Sequence, residues 1–135
     1  MNESKGIPIV GRVTFIVHFI VSLVVGLPLL IVAVTAGAWY GYPTGQSELM
    51  PVFRAFGAII LLLGGGTSLY GITTNRWERM VYIVRCEMAY LAVQTIVFLV
   101  AALSDGGSVM GNWLFAAVSA VLFVLFLITH SVASK

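Results

Sequence analysis

The sequence predicts an all-α fold, a four-helix transmembrane bundle with up-and-down topology, and three observations carry the prediction. Of its 135 residues 60% are hydrophobic and only 9% charged. Seven Lys+Arg and five Asp+Glu cannot furnish the polar surface of a soluble domain this size, so lipid is expected to be the outer solvent. Four apolar runs, at about 13–38, 52–73, 80–103 and 112–132, each reach the roughly 20 residues that a helix needs to cross the hydrocarbon core. The polar breaks between them are short, which makes consecutive helices antiparallel neighbours. Residues 1–135 therefore read as a single transmembrane domain.

The first run follows Lys5 and Arg12 and contains Ala36-Gly37-Ala38, which resembles a signal-peptidase site. Its apolar core is longer than a signal-peptide h-region, so a retained helix is expected. Within it Thr14, His18, Ser22 and Gly26 recur every four residues and share one stripe. Pro28 is expected to bend the outer half. Turn chemistry at Gly41-Tyr42-Pro43-Thr44-Gly45 separates this helix from the second. On the second, Gly57, Gly64, Ser68 and Gly71 recur at helical spacing, with Gly64-Gly65-Gly66 thinning the inner half. Thr74-Asn75 breaks the chain before the third helix, and Ser104-Asp105-Gly106-Gly107 before the fourth. Ala116, Ser119 and Ala120 form a small-residue face on the fourth helix. In lipid, helices associate through close backbone approach at small residues, so these stripes read as packing seams.

Basic residues set the orientation. Lys5, Arg12, Arg76, Arg79 and Lys135 fall on one side, whereas Arg54 on the other side accompanies Glu48 and Asp105. The positive-inside rule then puts both termini in the cytoplasm, and a prokaryotic cytoplasmic (inner) membrane is the expected location. Trp39, Tyr40, Tyr42 and Trp113 fit an outer aromatic belt, and Trp77 an inner one.

Ionisable groups inside apolar runs mark candidate sites, because burying them in a bilayer is costly. With a rise of about 1.5 Å per residue, His18 lies roughly 9 Å beyond Arg12, and Arg85 as far beyond Arg79. Glu87 is about 3 Å deeper, while Tyr70 and His130 are roughly 7 to 8 Å in from Asn75 and Lys135. His18, Tyr70, Glu87 and His130 thus form an expected polar layer in the inner leaflet. Glu87, Tyr90 and Gln94 share a face that Arg85 does not. The Glu87 stripe is expected to look into the bundle, with His18 or Tyr70 as its partner. Arg85, beside Tyr82, is expected to meet lipid headgroups or a partner protein.

Two readings of these groups stay open. Glu87 either registers the helices as a buried, satisfied carboxyl or exchanges protons or binds cations. His18 and His130 either bond between helices or ligate a b-type haem axially. No metal cluster is expected. The sequence has no P-loop, G-x-S-x-G, H-E-x-x-H or C-x-x-C, so no catalytic residue and no enzyme is predicted. The single cysteine, Cys86, cannot form an internal disulfide. A net charge of +2 spread over helix ends excludes a nucleic-acid patch.

Four short-looped helices, a basic flank leading to Gly26, and Arg54-Ala55-Phe56-Gly57 opening a glycine-rich second helix resemble the DoxX-like group of small four-helix membrane proteins. The resemblance implies a small subunit or helper of membrane redox systems, without transferable catalytic residues. The expected function is therefore a non-catalytic accessory or assembly subunit of a larger membrane complex. Its expected partners are lipids and other membrane subunits, with a homo-oligomer also open. Alternatives are a four-helix module binding haem or quinone, or a small proton-linked transporter using Glu87 and His18.

Overall fold

The computed structural model describes residues 6–43, 47–74, 76–104 and 109–135. Lys5, Thr44, Gly45, Asn75, Asp105, Gly106 and Gly107, used above for orientation, depth and turns, lie outside the described residues. The first span is α1 (Ile9–Ile31) continued by α2 (Ala33–Trp39). The second is α3 (Met50–Ile59), a π-helical segment (Ile60–Gly65) and α4 (Gly66–Thr74). α5 (Trp77–Ser104) and α6 (Met110–Ala133) are the third and fourth. These make four helices long and apolar enough to span a membrane, consistent with a multi-pass membrane protein.

Every span starts earlier than hydropathy alone indicated. The first opens at Ile9, directly after the N-cap Pro8. Pro51 sits in the opening turn of α3, where its missing N–H costs nothing. The bend expected from Pro28 is an interruption at Val32, whose N–H donates to the Pro28 carbonyl at 2.9 Å. Within the π segment the Gly66 N–H reaches back five residues to the Leu61 carbonyl, adding one residue to the turn.

Contacts at both ends make the first and fourth spans antiparallel neighbours. The hydroxyls of Thr14 and Thr129 lie 3.0 Å apart, joining the start of α1 to the end of α6. At the other end the Gly111 N–H donates to the Tyr40 carbonyl at 2.6 Å, and Tyr42 Oη donates to Asn112 Oδ1 at 2.7 Å. Gly41 makes that corner with φ +83°, a conformation that suits glycine. Aromatic rings then link all four spans: Tyr40 on Phe115 (4.9 Å), Tyr42 on Phe53 (5.3 Å) and Phe56 on Phe98 (5.8 Å). Trp77, expected in an interfacial belt, is instead buried against His130 at 5.9 Å, because α5 begins beneath the end of α6.

The second span approaches α1 at backbone distance. A Cβ built on Gly57 would lie 2.7 Å from the Gly26 carbonyl oxygen and 2.7 Å from the Leu30 nitrogen. One on Gly71 would lie 2.8 Å from the Phe15 ring. Gly57→Ala therefore forces two backbones apart and should cost about 1–3 kcal/mol. At Gly66 the nearest atom to an added Cβ is 4.0 Å away, so Gly66→Ala should stabilise by about 0.5–1 kcal/mol. Unfolding midpoints in mixed detergent micelles measure both; equal midpoints for the two variants contradict the close-approach assignment.

Candidate functional site

The site is a set of polar groups held around the second span, with α1 on one side and α5 on the other. The π segment delivers Thr67 and Ser68, consecutive residues, to two different helices. Ser68, fully buried, lies 2.9 Å through Oγ from His18 Nδ1. Thr67 donates from Oγ1 to Glu87 Oε1 at 2.6 Å and also approaches the carbonyls of Leu63 and Gly64. His18 and Glu87 are both buried in the bundle.

The glycine of the seam admits close approach at this level. A Cβ on Gly64 would stand 2.6 Å from Ser22 Oγ and 3.0 Å from His18 Nε2, so both side chains pack against the Gly64 backbone where no larger residue fits. All three residues line a small pocket of about 40 Å³. Ser22, Gln94, Tyr90 and Ser119 bring polar groups to its wall, and Leu91, Phe115 and Leu122 close its apolar side. All four spans contribute. Ser22 Oγ is buried without a hydrogen-bond partner, and so is Glu87 Oε2, although buried polar atoms are ordinarily paired.

The expected inner-leaflet layer is resolved into separate units. His18 and Glu87 face the interior, as expected, but neither His18 nor Tyr70 is the partner of Glu87; that partner is Thr67. Tyr70 points out of the bundle, exposed beside Thr74 and Arg79, because the inward positions of α4 are taken by Ser68 and Gly71. His130 is half-buried between α5 and α6, where Arg85 Nε donates to its Nε2 at 3.2 Å. Arg85 and Tyr82 are exposed, Tyr82 at 72%.

A haem held between His18 and His130 does not fit this arrangement. The Nε2 of His18, left free by the Nδ1 contact with Ser68, is directed at Gly64 of the second span, whereas the Nε2 of His130 accepts from Arg85 of the third. The Phe126 ring packs edge-on against His18 at 5.2 Å, and the pocket beside His18 is far below the size of a cofactor site. Among the described residues no group of three or more His, Cys, Asp or Glu side chains is arranged to hold a metal ion. Thr67, Ser68, Ser22 and Thr129 were not singled out by depth. Ser22 and Ser68 stood out only as members of small-residue stripes, which also describe an ordinary seam, and Thr67 and Thr129 carried no signal of their own. Compared with family models, curated proteins and solved structures, the chain matches none.

Thr67→Val leaves Glu87 Oε1 without its donor and should destabilise by about 1–3 kcal/mol, whereas Thr67→Ser keeps the hydroxyl and should avoid most of that loss. A double-mutant cycle between His18→Phe and Ser68→Ala should return a coupling of about 0.6 kcal/mol and not above about 1.7, the range for hydrogen bonds between membrane helices. Unfolding free energies in bicelles give both numbers; zero coupling removes the His18–Ser68 bond from the account.

Proposed function

We propose that the chain is an integral protein of a prokaryotic cytoplasmic membrane with both termini in the cytoplasm. It acts there as a non-catalytic accessory or assembly subunit of a larger membrane complex. The observation that carries this reading is the surface of α5. Only 17% of the most apolar stretch of α5 is buried, against 28% to 33% in the other spans. That poorly covered helix bears Tyr82, Arg85 and Cys86 on its exposed side.

Arg85 is six residues along the helix from Arg79, roughly 9 Å deeper than the basic end. An arginine there is expensive in lipid, and His130 supplies one acceptor for a guanidinium with five N–H donors. A neighbouring subunit that covers α5 and brings further acceptors removes this cost. The likeness of Arg54-Ala55-Phe56-Gly57 to the DoxX-like group favours a redox complex as the host assembly.

Purification in mild detergent from the native membrane should yield the chain in stoichiometric complex with larger membrane subunits, and Arg85→Leu should weaken that association. A homogeneous homo-oligomer carrying no other chain refutes the accessory role. Orientation has its own test. A fluorescent protein fused after Lys135 should fluoresce, and alkaline phosphatase fused there should be inactive; the reverse pair inverts the topology.

A further inference from the structure

We propose that the pocket at Gly64 is the polar end of a lateral binding site for an uncharged lipophile carrying one hydroxyl or carbonyl group, which enters from the bilayer between α1 and α6. The site lies away from the exposed face of α5, so the proposal stands or falls independently of the accessory role.

The first observation is an unmet need inside an empty volume. Ser22 is 1% exposed and its Oγ has no partner. The volume beside it, about 40 Å³, exceeds the roughly 10–15 Å³ that one water centre occupies. His18, Ser22 and Gln94 all line this volume, so a ligand oxygen entering it has the unpartnered Ser22 hydroxyl and two further polar side chains on the wall. Serine, histidine and glutamine together supply both donors and acceptors, so a hydroxyl or a carbonyl is accommodated.

The second observation is the thinness of the wall facing lipid. Val21, Val25, Phe115 and Val118 line the pocket and also line a groove of about 430 Å³ on the outer surface between α1 and α6. A second groove of about 240 Å³ shares Val21, Val118 and Leu122 with the pocket. Valine, leucine and phenylalanine side chains are thus shared between the wall of the pocket and the walls of the two grooves. Small rotamer changes among them join an apolar groove to a polar end.

Depth and charge select the ligand. Ser22 lies ten residues beyond Arg12, roughly 15 Å along the helix, which is the middle of a hydrocarbon core about 30 Å thick. Phospholipids and fatty acids hold their charged heads at the interface, half a bilayer away, and pay heavily to bring them inward. No Lys or Arg lines the pocket, so an anionic head finds no counter-charge there. A neutral molecule with a single hydroxyl or carbonyl partitions into the bilayer interior at modest cost and recovers that cost in the pocket.

Two photoactivatable probes of equal chain length test the site, one ending in a hydroxyl and the other in a methyl group. The full-length protein in nanodiscs is irradiated with each and crosslinks are mapped by peptide mass spectrometry. The alcohol should label the residues around Val21, Phe115 and Val118 about tenfold more than the hydrocarbon, the discrimination that one or two neutral hydrogen bonds supply. Ser22→Ala removes an unbonded hydroxyl and should keep the wild-type helicity and melting midpoint while erasing the excess. Val118→Trp keeps every polar group but fills the shared wall, and it should erase the excess as well. Equal labelling by the two probes means that water alone occupies the pocket and overturns the proposal. An undiminished excess in a folded Ser22→Ala or Val118→Trp protein also overturns it.

Discussion

The bundle depends on how closely the second span can lie against α1. Gly57 meets Gly26 with no side chain between the backbones, and Gly71 receives the Phe15 ring in the space where a Cβ would be. Lipid supplies no hydrophobic drive for helices to associate, so dispersion at such contacts and a few polar bonds must hold the spans together. The glycine seam determines the distance, and the distance decides which polar atoms can touch. Thr67 and Ser68 reach Glu87 and His18 because the span that carries them is pressed between two neighbours.

Each polar contact inside the membrane also limits alternatives. The Thr14–Thr129 pair ties α1 to α6 near the chain ends, while each hydroxyl stays within reach of the carbonyl four residues before it, 2.9 Å away in both cases. Tyr42 and Asn112 do the corresponding work at the opposite end. A helix sliding by one turn would strand these groups in hydrocarbon, where an unpaired polar atom costs more than the bond contributes when made. The pairs thus fix register more than they add stability. The aromatic rings around Phe115 then fill the volume that the registered helices leave.

Much of the architecture was legible in the sequence, for a physical reason. Spanning a bilayer demands length and apolarity, and both are properties of composition over a window, so the four spans follow from the runs themselves. The small-residue stripes were equally readable, since backbone approach admits few residue types: Thr14, His18, Ser22 and Gly26 are all buried. The candidate site was legible only as a depth. Counting rise per residue put His18, Tyr70, Glu87 and His130 in one layer but did not fix the direction of each side chain. Tyr70 faces outward and His130 turns to Arg85, whereas the hydroxyls of Thr67 and Ser68, of which only Ser68 was legible and then as a packing residue, reach Glu87 and His18. Helix starts were missed by up to four residues, because Pro8 and Pro51 lower hydropathy at positions where proline favours initiation.

The π-helical segment at Ile60–Gly65 divides the second span into two halves that face different ways. Such a segment is equivalent to one residue inserted into a continuous α-helix, and it turns everything after it by about 100° relative to everything before. The half of the span that docks on Gly26 and the half that presents Thr67 and Ser68 are therefore separate angular modules joined by a spacer. Shortening Leu61–Leu63 by one residue would leave the α3 contact with α1 untouched and rotate both hydroxyls away from His18 and Glu87. The one extra residue in the turn thus lets a single helix pack on one neighbour and serve two buried ionisable groups at once.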